Sequence, residues 1–128
     1  MPRLQTILRA NAASCLIFGA LFVAAPTAAA IFLSPDPAPA WLLRGLGAIL
    51  IINGGHLLWA ANRNPKRSEI LYFTLGDFAW VAGTLALIAA NLWITTAHGM
   101  SAALAVSAMV GAFGLAQVAA ITRGVKNE

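Results

Sequence analysis

The sequence predicts an all-α protein, a four-helix transmembrane bundle, from its composition and from the way its apolar residues are distributed. Hydrophobic residues make up 60% of the 128 residues and charged residues only 9%, whereas soluble domains contain about 25% charged residues. Long stretches carry no ionised side chain, and short segments rich in proline or charge separate them. We therefore expect a single transmembrane domain over residues 1–128, a multi-pass integral membrane protein in contact with the lipid bilayer.

Four apolar stretches are each long enough to cross a bilayer. A helix needs about 20 residues to span about 30 Å of hydrocarbon, and the predicted spans cover residues 10–33, 41–61, 70–95 and 101–122. Three prolines between residues 34 and 39 end the first span, and Pro26 is expected to kink its outer half. Because the connections are short, consecutive helices should be antiparallel, in an up-down-up-down order.

The positive charges predict the orientation of the bundle. Lys and Arg are retained mostly on the cytoplasmic side of a membrane. Seven of the eight basic residues lie before the first span, between the second and third, or after the fourth, which are all on one side of such a bundle. We therefore expect cytoplasmic N and C termini and a location in the cell membrane, as a bacterial inner-membrane protein. This clustering at span ends argues against nucleic-acid binding.

The first span has an alternative interpretation as a cleavable signal peptide. It has a basic start, an apolar middle and the sequence Ala28-Ala29-Ala30, where a signal peptidase could cut and leave three spans. However, the apolar run continues through residues 31–33, and it exceeds the length of about 7 to 15 apolar residues that is typical of a signal-peptide core. We therefore expect the first span to be retained.

Polar side chains on all four spans fall in the cytoplasmic third of the membrane. Asp77 on the third span and His56 on the second lie at similar predicted depths, and Asn11 and Ser14 on the first span fall in the same third. A charged residue at the bilayer centre costs about 2.5 to 3.5 kcal/mol, so Asp77 should protonate or find a donor, for which His56 is the natural candidate. The candidate intramembrane polar site comprises Asp77, His56, Asn53 and Gln117.

Two interpretations of this site remain open. In the functional one, Asp77 and His56 form a proton-binding pair at the base of a cavity that faces the cytoplasm. In the structural one, the site is a polar clamp that fixes the register of the helices, with Asp77 neutral or hydrogen-bonded to Asn, His or the indole of Trp80. We favour the structural interpretation, because interhelical hydrogen bonds are common in membrane proteins.

No motif indicates catalysis, a cofactor or a metal site. Cys15 is the single cysteine, so it can form neither an intrachain disulfide nor a two-cysteine metal site. His56 and His98 lie near opposite ends of the bundle, which argues against a haem bound by both. The sequence lacks metal-site spacing and a glycine-rich phosphate loop. We therefore predict that the protein is not an enzyme and binds no cofactor or metal.

Small residues recur at helical spacing and should determine how the helices pack. The fourth span has Gly99, Ala103, Ser107 and Gly111 at four-residue spacing, and the third has Ala79 and Gly83. Within lipid, helices associate through close packing of such residues. We expect them to serve packing inside the bundle, with a dimer face as the alternative.

One segment carries a resemblance to a known group of proteins. Residues 77–83, with the sequence DFAWVAG, follow the basic loop Pro65-Lys66-Arg67 and resemble a pattern found in small uncharacterised four-helix bacterial integral membrane proteins. The resemblance covers the last three spans and implies no activity. The four-helix small multidrug transporters have a similar length but carry an essential Glu in their first span, and the first span here has no acidic residue.

The expected function follows from what surrounds the spans. Because the chain has almost no segment outside them and no catalytic motif, we expect an accessory or scaffold subunit that packs against a larger membrane protein or forms a homo-oligomer. The alternative is a small proton-linked transporter or channel that uses Asp77 and His56.

Overall fold

The computed structural model describes residues 4–123, and all their regular structure is helical. The helices are α1 (Leu4–Ala24), α2 (Pro26–Leu33), α3 (Ala40–Ala61), α4 (Arg67–Ala89) and α5 (Ala97–Thr122). Four of them, α1, α3, α4 and α5, are long and apolar enough to cross a membrane. The predicted all-α class with four candidate membrane spans is thus confirmed.

Pro26 divides the first predicted span, residues 10–33, into two helices. α1 begins earlier than predicted, at Leu4, and the helix is interrupted at Ala25, which has φ −137° and ψ 59°. Proline has no amide hydrogen, and its fixed φ suits the first position of a helix; α2 therefore starts at Pro26. Hydrogen bonds from the Ala25 amide to Leu21 (2.8 Å) and from the Ala29 amide to Ala25 (3.1 Å) continue across the interruption.

The helix α4, which corresponds to the third predicted span, residues 70–95, is shorter than that span. α4 ends at Ala89, where the amides of Asn91 and Leu92 donate to the carbonyls of Ile88 and Leu87, each at 3.0 Å. This pair of hydrogen bonds is a Schellman C-cap. Asn91 has a positive φ of 55°, which asparagine adopts more readily than most residues. The prediction of a helix to residue 95 is therefore wrong, because Asn91 closes the helix.

The link between α4 and α5 is hydrogen-bonded to the end of α2. The amides of Thr95 and Thr96 both donate to the carbonyl of Leu33, at 2.9 and 3.1 Å, and the Thr95 hydroxyl donates to Ser34 Oγ at 2.8 Å. These bonds satisfy a carbonyl that the end of a helix would leave free. The Thr96 hydroxyl also accepts the Gly99 amide at 2.9 Å, so α5 is capped and begins before the predicted residue 101.

The long helices form two close pairs, α1 with α3 and α4 with α5. A β-carbon on Gly47 would lie only 2.7 Å from the carbonyl oxygen of Gly19, so glycine lets α1 and α3 approach at this point. In the other pair, a β-carbon on Gly114 would lie 2.7 Å from the ring of Phe78. Small residues therefore fix the contact within each pair.

The two pairs meet less closely than the helices within them. In the part of the chain that the structure describes, α3 and α4 are consecutive but do not pack along their lengths. One apolar cluster joins α1, α3 and α4, and comprises Leu8, Ala12, Cys15, Leu57, Ala60, Ala61 and Phe73. A second, smaller cluster comprises Ala30, Ala38 and Leu43, with Trp93 packed against it. The loose junction between the pairs leaves room for the site described next.

Candidate functional site

The Asp77 carboxylate is buried where α1, α4 and α5 meet. Its side chain is on α4, and the residue is 5% exposed. Asn11 Nδ2 on α1 donates to both carboxylate oxygens, at 3.2 and 3.0 Å, and Gln117 Nε2 on α5 donates to Oδ2 at 3.2 Å. Both amide side chains are buried. Donors from two other helices therefore hold the carboxylate in place.

The two amides also bond to each other and to a threonine. Asn11 Nδ2 donates to Gln117 Oε1 at 3.0 Å, and Gln117 Nε2 donates to Thr74 Oγ1 at 3.0 Å. An amide nitrogen carries two hydrogens, so Asn11, which faces three acceptors, shares one hydrogen between two of them. We refer to Asn11, Thr74, Asp77 and Gln117 as the Asp77 cluster.

Asn53 on α3 reaches the Asp77 cluster through a cysteine. Asn53 Nδ2 donates to Cys15 Sγ at 3.5 Å, and the Cys15 thiol donates to Asn11 Oδ1 at 3.8 Å. Sulfur is a weak donor and a weak acceptor, so this connection is weaker than those within the cluster. Through it, all four long helices contribute a polar side chain to one network.

His56 bonds to Glu69, so the predicted pairing of His56 with Asp77 is wrong. His56 Nε2 lies 3.1 Å from Glu69 Oε2, and the terminal nitrogens of Arg63 donate to the two Glu69 oxygens. Arg63 stacks over the ring of Trp59, 3.8 Å from its centroid, and so holds the Glu69 carboxylate beside α3. We refer to His56, Arg63 and Glu69 as the Glu69 cluster.

The charges within the Glu69 cluster support one another. The Glu69 carboxylate, through its hydrogen bonds, raises the pKa of the Arg63 guanidinium above its usual value. Arginine is already fully charged at neutral pH, so this interaction reinforces a charge that Arg63 carries in any case. This ion pair gives His56 a local anionic partner, whereas Asp77 faces α1 and α5 and its hydrogen-bond donors are uncharged amides.

Of the four residues predicted for the site, Asp77 and Gln117 bond directly, Asn53 is connected through Cys15, and His56 belongs to the other cluster. The named site omitted Asn11 and Thr74. The sequence already places Asn11 in the same cytoplasmic third as Asp77, but depth alone does not make it the preferred donor over His56. Thr74 lies three residues before Asp77, which puts both on one face of a helix.

A cavity of about 190 Å³ lies beside Asp77, between the two helix pairs. All four long helices contribute to its walls, which are mainly apolar and include the aromatic rings of Phe18, Tyr72 and Trp80. Among the described residues that line it, Asp77 is the only carboxylate, and none is Lys, Arg or His. The arrangement therefore combines a buried acidic group with a space large enough for a small molecule.

Comparisons with protein-family models, curated proteins and solved structures find no match for this chain. The resemblance of residues 77–83 to small four-helix bacterial membrane proteins stays a prediction. Over residues 4–123, no group of three His, Cys, Asp or Glu side chains is placed to hold a metal ion.

Proposed function

We propose that this protein is an accessory subunit that packs against a larger membrane protein. The observation that carries the proposal is a difference among its glycines. A β-carbon at Gly19 or Gly47 would clash with the neighbouring backbone, whereas one at Gly83 on α4 would meet nothing within 4 Å, as is also the case at Gly45, Gly55 and Gly76. Glycine costs about 0.5 to 1 kcal/mol relative to alanine inside a helix. A neighbour outside the chain would explain why α4 carries this cost at Gly83.

Gly83 belongs to an exposed strip of small residues. Ala79, Gly83 and Ala86 lie on one side of α4 at spacings of four and three residues, and all three are exposed. We refer to them as the outer face of α4. In lipid, such a face allows a second helix to approach closely, as Gly19 and Gly47 do inside this chain. A transmembrane helix of a larger protein is the partner that fits it.

In the proposed arrangement the helices cross a bacterial inner membrane in up-down-up-down order, with both termini in the cytoplasm. The pairing of residues supports antiparallel neighbours: Gly19 lies against Gly47, while Leu16 lies against Gly54. The basic link between α3 and α4, which contains Arg63, supports a cytoplasmic position for that end of the bundle.

The partner is tested by the size of the native complex. The tagged chain would be extracted from its own membranes in mild detergent and separated by native electrophoresis, followed by mass spectrometry of the band. We expect a complex larger than the monomer that contains a second membrane protein. Gly83→Leu should release the monomer, because the side chain blocks close approach. Gly55→Leu is the matched control: it makes the same substitution at an exposed glycine on α3, where a β-carbon would also meet nothing within 4 Å.

Two results would contradict the proposal. If the wild-type chain migrates as a monomer, no partner binds under native conditions. If the complex contains only copies of this chain, the outer face of α4 is a homo-oligomer interface and the larger partner is refuted.

The second candidate is a small proton-linked transporter or channel, which the position of Asp77 beside the cavity favours. Because His56 bonds to Glu69, this mechanism uses Asp77 with Asn11 and Gln117 instead. It predicts proton flux into liposomes that Asp77→Asn abolishes and Glu69→Gln retains. Equal flux for Asp77→Asn and the wild type would eliminate this candidate and leave the structural clamp.

A further inference from the structure

We propose that the cavity beside Asp77 binds a small organic cation of the alkylammonium class. The inference concerns the cavity named under the second candidate function, but it requires neither transport nor a partner on α4. Three features of the cavity carry it: an acidic group with no basic side chain among the described residues that line it, aromatic walls, and an opening at the edges of α3 and α4.

The charge of the cavity is not balanced within it. Asp77 is its one carboxylate, and the described residues that line it include no basic side chain. The donors to Asp77 are the amides of Asn11 and Gln117, which carry no charge. An ionised carboxylate has about four lone-pair sites, and Oδ1 accepts only the 3.2 Å bond from Asn11. The site therefore attracts a positive charge that none of the described lining residues supplies.

The walls favour an organic cation over a metal ion. Phe18, Tyr72 and Trp80 line the cavity, and aromatic faces attract alkylammonium ions, whose charge is spread over apolar groups. A hard metal ion prefers a shell of oxygen ligands, whereas the groups closest to the Asp77 oxygens are amide nitrogens that carry hydrogens. These walls offer a metal ion too few oxygen ligands. They suit an alkylammonium ion, whose alkyl groups can contact the aromatic rings.

Size and access also agree with a small ligand. The volume of about 190 Å³ exceeds that of a cavity of about 150 Å³ that binds benzene in another protein, which suits an ion such as tetraethylammonium. Ile49 on α3 and Tyr72 on α4 border the cavity and are 63% and 59% exposed. The cation can therefore enter between these two exposed side chains, on the side of the bundle where the backbones of α3 and α4 do not approach closely along their lengths.

The experiment titrates the purified full-length protein in neutral detergent with tetraethylammonium chloride and follows tryptophan fluorescence. Sodium chloride at equal ionic strength is the reference salt. We expect saturable binding to the wild type. Asp77→Asn should weaken it at least about tenfold, while Glu69→Gln, which removes a carboxylate outside the cavity, should leave it unchanged. Size-exclusion chromatography checks that each variant is folded.

A second pair of variants applies if Asp77→Asn does not fold. Tyr72→Leu removes an aromatic ring from the edge of the cavity and should weaken binding about threefold or more. Trp41→Leu, which removes an exposed ring that does not line the cavity, should have no effect. The proposal is overturned if the wild type shows no saturable binding, or if each cavity variant binds as tightly as its control. Proton flux without cation binding would refute this inference alone.

Discussion

Asp77 is the residue whose surroundings decide most about this chain. Its carboxylate accepts hydrogen bonds from the amides of Asn11 and Gln117, which replace the hydrogen bonds that water would make to it. Hydrogen bonds to a charged group contribute about 1.5 to 3 kcal/mol each, which is comparable to the cost of about 2.5 to 3.5 kcal/mol for a charged residue at the bilayer centre. The cluster can therefore keep Asp77 in the membrane without a counter-ion.

A double-mutant cycle tests whether Asn11 and Asp77 act as a unit. Asn11→Leu should lower the free energy of unfolding by about 1 to 3 kcal/mol, because it leaves the carboxylate short of a donor. The double variant Asn11→Leu/Asp77→Leu should lose less than the sum of the single losses. The measurement is unfolding by SDS in mixed micelles, followed by tryptophan fluorescence. Additive losses would mean that the two side chains do not stabilise one another.

The Glu69 cluster provides the contrast for that cycle. Glu69 is partly exposed and lies close to the link between α3 and α4, where water and headgroups weaken an ion pair. Glu69→Gln should therefore cost only up to about 1 kcal/mol, less than Asn11→Leu, in the same unfolding assay. If Glu69→Gln lowers the free energy of unfolding more than Asn11→Leu does, the Glu69 cluster stabilises the bundle more than the Asp77 cluster, which contradicts this expectation.

Sequence alone could identify Asp77 and its partner Gln117, but it favoured His56 as a donor in place of Asn11. Depth along the helices ranked His56 and Asn11 as similar, since both lie in the cytoplasmic third of their spans. The choice between them depends on how each helix is rotated about its axis. Apolar residues occur on all sides of these helices, so the sequence does not show which side faces the bundle. Glu69, close to a charged loop, was not considered as a partner for His56.

At the scale of the helices, close backbone contacts depend on a few glycines. Gly47 on α3 lies against Gly19 on α1, while Gly45, two residues earlier, has nothing within 4 Å of a β-carbon position. The same substitution at these two sites should have opposite effects.

Gly47→Ala should lower the free energy of unfolding by about 1 to 3 kcal/mol, because the added carbon overpacks the α1–α3 contact. Gly45→Ala should instead be neutral or raise it by up to about 1 kcal/mol, since alanine favours a helix and the site has space. Both are measured by SDS unfolding in parallel. Equal losses at the two sites would contradict the α1–α3 packing described here.

The packing of α1 also bears on whether the first span is retained. Asn11 on α1 supplies the hydrogens that hold both oxygens of Asp77, so removal of α1 would leave the carboxylate with Gln117 alone. We expect the intact mass of the purified protein to include residues 4–24. A mass that corresponds to a chain starting at Ile31 would contradict this expectation.

The ends of the helices show which local features the sequence could supply. Pro26 was recognised as a disturbance of the first span, because proline removes a backbone donor. Hydropathy predicts an end of α4 that is too late, since apolar residues continue beyond Asn91 and hydropathy alone does not register a C-cap. Asparagine at a C′ position is the signal that could have found it.

At the scale of the whole molecule, the chain is two helix pairs joined by the Asp77 cluster. The α1–α3 and α4–α5 pairs pack closely within themselves, while α3 and α4 leave an opening beside the cavity. Composition and spacing could predict the number of long helices, because each apolar run matches the thickness of a bilayer. They could not predict the pairing, which depends on small-residue contacts between distant parts of the chain.

Cysteine labelling in intact cells tests the four-span membrane topology on which the account depends. With Cys15 replaced by alanine, single cysteines at Asp36, Asn64 and Ala90, all exposed positions between or at the ends of long helices, would be exposed to a membrane-impermeant maleimide. We expect labelling from outside at Asp36→Cys and Ala90→Cys, and labelling at Asn64→Cys only after the membrane is permeabilised. Labelling of Asn64→Cys in intact cells, or protection of either of the other two, would contradict this topology.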